Sequence, residues 1–143
     1  MSDASTYTEN RTLDFWLKAN SLTTTAPATV YLALFVSGDS AGGTADNLEA
    51  GTLTDEVSTS GTAYARQAVT FGTISDGSVS SNANVTFPTA TANFGTITHV
   101  AVMDGSTAGA GNVIFYGDLT SSKTIETGDT FQITSGNLTI TLA

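Results

Sequence analysis

Cysteine is absent from this 143-residue chain, which also has only four basic residues and one histidine. The first absence excludes a disulfide scaffold and leaves the redox compartment unreadable. It also removes the Cys/His patterns that hold structural metals. The scarcity of Lys and Arg argues against binding a phosphate backbone, which needs clustered cations to release counterions. It argues equally against anionic lipid, so neither a nucleic acid nor a membrane is expected as a partner. The longest apolar run, Val30 to Val36, is far too short to span a bilayer. The opening "MSDASTYTEN" is acidic and polar and does not read as a signal peptide.

What is present is acidic and polar. Thirteen acids give a formal net charge of −9 and a pI near 4.1, yet only 12% of residues are charged. Soluble domains typically carry about 25% charged residues. The exposed surface is therefore largely Thr, Ser, Asn and Gly. That skin suits a protein packed among neighbours or living outside a cell.

The length fits one domain over residues 1–143, able to bury roughly 68–70% of its unfolded surface without staples. The spacing predicts an N-terminal arm over 1–8 and a helix over 9–20. Thr6-x-x-Glu9 has the form of a capping box. Leu13, Trp16 and Leu17 make an apolar stripe at i, i+3, i+4 that could lie on a larger core. The rest reads as strand and turn. Thr29–Val36 is continuous and apolar, as for a strand covered on both faces. Residues 37–60 show no periodicity and read as one long loop. Short strands follow at Tyr64–Phe71, Ser78–Ser80, Asn84–Phe87, Thr96–Met103, Val113–Leu119, Lys123–Ile125, Thr130–Thr134 and Leu138–Leu142. In the last, Leu138, Ile140 and Leu142 alternate with threonines, which predicts one buried face. The pattern defines an all-β fold: an antiparallel two-sheet β-sandwich, jelly-roll-like, with one short N-terminal helix.

No constellation for catalysis stands out, and none is assigned. His99 has no nucleophile elbow of the G-x-S-x-G form to serve. The acids sit mostly at turns, where local hydrogen bonding already explains them. The loop carrying Asp39, Asp46 and Glu49 has oxygen ligands to offer a partner, but it lacks the spacing of a Ca²⁺ loop. No metal and no cofactor is expected. Aromatic residues are mostly placed for core packing, while Tyr7 and Trp16 are the ones freest to meet a partner. Arg66, in "GTAYARQAVTFG", reads as a structural ion-pair residue.

Taken in order, "NRTLDFWLKANS", "PATVYLALF", "YARQAVTFG", "VTFPTATANFGTITHVAVMD" and "LTSSKTIETGDTFQITSGNLTITL" resemble small virion proteins of tailed bacteriophages. These are of the tail-fibre-like or capsid-decoration type and are common in phages of cyanobacteria and other aquatic hosts. The likeness runs from Asn10 to Leu142 and excludes residues 37–60. It implies a virion structural protein, on the capsid surface or the tail, with no catalytic residues to transfer. The leading expectation is an oligomeric capsid decoration (cement) protein; the alternative is a tail, collar or fibre subunit that attaches to the host surface, binding through the 37–60 loop and the "DGSTAGAG" loop. The implied partners are further copies of the chain, a trimer being favoured, and the major capsid protein or other virion proteins.

Overall fold

The computed structural model describes residues 3–18, 25–38 and 42–142. Along the chain lie β1 (Asp3–Ala4), α1 (Thr6–Leu17), β2 (Val30–Val36), α2 (Gly43–Glu49), β3 (Gln67–Val69), β4 (Ser78–Ser80), β5 (Val85–Thr86), β6 (Gly95–Met103), β7 (Val113–Ile125), β8 (Gln132–Ile133) and β9 (Thr139–Thr141). One layer is an antiparallel five-stranded sheet in the order β1-β7-β6-β2-β3. Two antiparallel ribbons, β4-β9 and β5-β8, form the facing layer. The molecule is a β-sandwich.

The continuous apolar run of β2 follows from its central position. Leu32 and Leu34 point between the layers, into a core shared with Val100, Val102, Val85, Phe87, Phe131 and Ile140. Ala33 and Phe35 point to the opposite face, where they meet Leu48, Met103 and Tyr116. A strand apolar on both faces needs a cover on each, and α2 supplies the second. That helix lies inside the stretch expected to be one loop. Seven residues bury only Thr44 and Leu48, too few to print a helical period on the sequence.

The N-terminal region also differs from expectation. The arm contains a two-residue strand, and α1 begins at Thr6 with Ser5 as its N-cap. Thr8 N–H donates to Ser5 Oγ (3.4 Å), so Ser5 takes the capping role expected of Thr6. The expected helix end at Asn20 and Ser21 lies outside the described residues. The stripe does not reach the core: Leu13, Trp16 and Leu17 are 54%, 74% and 76% exposed. Ser5 Oγ donates to Val113 O and Thr8 Oγ1 donates to Ile114 O (2.8 Å), which turns the threonine face toward β7. Leu13 follows Thr8 by five residues, about 140° round the helix.

Two strands expected separately are one. β7 runs unbroken through Val113–Ile125, but its register against β6 slips: Ile97 faces Lys123 while His99 faces Asp118. The surplus β7 residues form a bulge, which a period-2 reading takes for a strand end. At the C-terminus Ile140 is buried and Leu138 half-buried, whereas Leu142 is 59% exposed beyond the end of β9. The turn at Asp76-Gly77 forms as its residues dictate. Both have positive φ (50° and 72°), and Ser75 and Ser78 exchange backbone hydrogen bonds, the geometry of a two-residue hairpin.

Candidate functional site

Arg66 sits just ahead of β3 and is buried with Glu56. Its Nε donates to Glu56 Oε1 (2.8 Å) and its Nη2 to Glu56 Oε2 (2.7 Å), a bidentate pair with both side chains 3% exposed or less. The remaining edge of the guanidinium faces the glycine-rich segment 104–112: Nη1 donates to Gly105 O (2.8 Å) and Ala110 O (2.9 Å). Glu56 Oε2 accepts from Gly109 N–H (2.7 Å), closing the same segment from the other side. Tyr64 OH donates to Glu56 Oε1 (2.9 Å) and accepts from Leu34 N–H (3.1 Å). Burial, and then the neighbouring carboxylate, push the Tyr64 phenol well above its ordinary range, so it stays protonated. Three chain segments distant in sequence are thus tied at one buried ion pair.

The segment so held has its own internal lock. Asp104 Oδ1 accepts from Asn112 N–H and Oδ2 from Asn112 Nδ2, each at 2.7 Å, while Asp104 N–H donates to Asn112 O (3.2 Å). Gly111 makes this closure possible. Its φ is +85°, and a Cβ there would come within 2.6 Å of Asp104 Oδ1.

Asp104 and Asn112 open onto a groove whose other wall is α1. Tyr7, Arg11 and Phe15 recur every four residues on one helix face, and Trp16 lies beside them; Pro27 and Ile114 complete a space of about 570 Å³. The Arg11 guanidinium carbon lies 5.1 Å from the Tyr7 ring centroid. Phe15 and Trp16 meet edge to face, with centroids 5.1 Å apart and planes at 82°. One acid, one base, an amide and three aromatic rings therefore converge on a groove whose loop wall is fixed from behind.

Of the residues singled out in the sequence, Tyr7 and Trp16 meet here. Asp46 and Glu49 are exposed on α2, away from the groove, and Asp39 lies outside the described residues. Tyr116 lies within the field of Asp46 and Glu49: burial, then Glu49, Asp3, Glu9 and Asp46, raise its pKa. His99 is half-buried with Nδ1 2.9 Å from Thr98 Oγ1; burial lowers its pKa, against an opposing pull from Asp118 and Asp55. Sequence reasoning missed Glu56, Asn112 and Arg11; Asp104 opens the "DGSTAGAG" loop, one of the two loops expected to bind in a host-recognition subunit. The available signal was scarcity: in a chain with four bases, a buried arginine must claim one of the acids, and Glu56 stands ten residues before it.

The described residues thus combine a β-sandwich with an open groove of aromatic and polar side chains. Residues 3–141 match the model of the family described as Podophage GP4 fiber I protein gp80. The chain belongs to that family and is a bacteriophage virion structural protein. No curated protein matches it.

Proposed function

We propose that the chain is a non-enzymatic fibre subunit of the phage tail that takes part in attachment to the host surface. The observation that carries this is the family match, which spans nearly the whole sandwich and names a fibre protein. It favours the fibre alternative over the capsid decoration expected first. The groove of exposed aromatic residues at α1 suits surface recognition. The stripe of Leu13 and Leu17 supports self-association into a homo-oligomer, because a 12-residue helix that buries none of its residues is marginal alone.

Quantitative mass spectrometry of purified virions tests this. A copy number far below that of the major capsid protein, with antibody labelling at the tail, is the expected outcome. A ratio near one would return the chain to the capsid surface.

A further inference from the structure

We propose that the groove between α1 and the 104–112 segment binds a neutral pyranose unit of a polysaccharide. The inference rests on the attachment reading for its biological setting and deepens it by naming the ligand class.

A pyranose ring has one largely C–H face and a rim of hydroxyls, so it asks for a flat apolar surface with polar groups at its edge. Trp16 supplies the surface: its indole is 74% exposed and is buttressed edge-on by Phe15. Asp104 supplies the edge. A carboxylate has about four acceptor directions, and Asn112 occupies one on each oxygen. The carboxylate is therefore aimed while keeping acceptor capacity for sugar hydroxyls, which must find partners when they leave water. Arg11 adds hydrogen-bond donors on the facing wall. The space of about 570 Å³ fits one or two sugar rings, within the usual range for small-ligand sites.

The charge pattern selects a neutral sugar. The groove carries one acid, Asp104, and one base, Arg11, and a chain of net charge −9 repels anionic polymers at a distance. Helix–helix packing is a poorer match, since the aliphatic pair Leu13 and Leu17 takes no part in this groove. The loop wall is organised before any ligand arrives, through Arg66 and Glu56, which spares the ordering cost of binding. A single ring is still a small ligand, so millimolar affinity is expected per site. Several sites on one fibre would multiply it.

Trp16 is the sole tryptophan in the chain, so its fluorescence reports on this groove alone. Purified protein would be titrated with cello-, malto-, chito-, galacto- and mannotetraose, following Trp16 emission and the amide resonances of Asp104 to Asn112. The expected result is a saturable change with at least one tetraose. Trp16→Ala should weaken that binding at least tenfold with an unchanged melting temperature, and Trp16→Tyr should retain most of it. Three results would each overturn the proposal: no response to any tetraose, equal binding by Trp16→Ala, or burial of Trp16 on self-association in sedimentation runs. The last would make the groove a contact between copies. Failure here leaves the fibre reading intact, because the virion copy number tests that separately.

Discussion

Tyr64 shows how much one hydroxyl carries in this protein. Its OH serves both the Leu34 amide and the Glu56 carboxylate, while its ring stacks on Phe87 and meets Phe94 edge-on. The folded state holds the phenol proton beyond the ordinary pKa of about 10 at which the unfolded chain releases it. Above that pH the unfolded state binds fewer protons than the native state, so stability falls as pH rises. Below it the contribution is fully present. Unfolding free energies from urea titrations should therefore stay level from neutral pH to about 9 and decline above about 10. In Tyr64→Phe the decline should be shallower without vanishing, because Tyr116 is shifted in the same direction. An unchanged slope in that variant would place the alkaline sensitivity elsewhere.

At the scale of elements, α1 is the anomaly. Its start is fixed by Ser5 and Thr8 on β7, and its first turn carries the acid, Glu9, that suits a helix N-terminus. Leu13 and Leu17, however, lie about 140° and about 180° round the helix from Thr8, and the body of the sandwich is complete without them. Replacing Leu13 and Leu17 together by Ser should change the monomer's stability by no more than about 1 kcal/mol, since both side chains are already exposed. The same change should shift sedimentation toward monomer. Persistence of the oligomer in Leu13→Ser/Leu17→Ser would exclude this stripe from the contact.

The helix also shows where sequence stopped being informative. Its existence and its apolar period were legible, because both are local properties. Which face met the sheet was not, because two hydroxyl-to-carbonyl bonds decided it. α2 was invisible for the converse reason: it is short, and only Leu48, with the half-buried Ala45, carries its apolar contact with the sheet. The unbroken apolar run of β2 was readable because a core on each face demands it residue by residue. The groove was half legible. Tyr7 and Trp16 stood out as unspent aromatics and "DGSTAGAG" as a binding loop, but nothing local marked Asp104 and Asn112 as the pair that shapes it. Their meaning depends on Arg66, which no local pattern connects to them.

For the whole molecule, that connection is the central question. The buried pair joins the Glu56 segment, the approach to β3 and the 104–112 segment, and it lies behind the groove rather than in it. A buried ion pair is weak evidence for stability, because desolvation offsets much of its attraction; removing one partner is a different matter. Arg66→Met should cost about 3–5 kcal/mol by stranding the Glu56 carboxylate. Glu56→Met should cost a similar amount by stranding the guanidinium. The double variant should cost less than the two losses added together, since neither charge is then left alone. Its segment 104–112 loses three hydrogen bonds to the interior and keeps the packing of Ala108 on the core, because both Gly109 N–H and the carbonyls of Gly105 and Ala110 lose their partners. Amide exchange at Gly109 should then rise well beyond what the change in global stability explains, while exchange at Val100, in β6 at the middle of the sheet, follows global unfolding. If Gly109 stays as protected as Val100 in the double variant, the ion pair serves the fold alone. If protection splits between them, Arg66 and Glu56 organise the groove, and the cost of burying two charges has its reason at the surface.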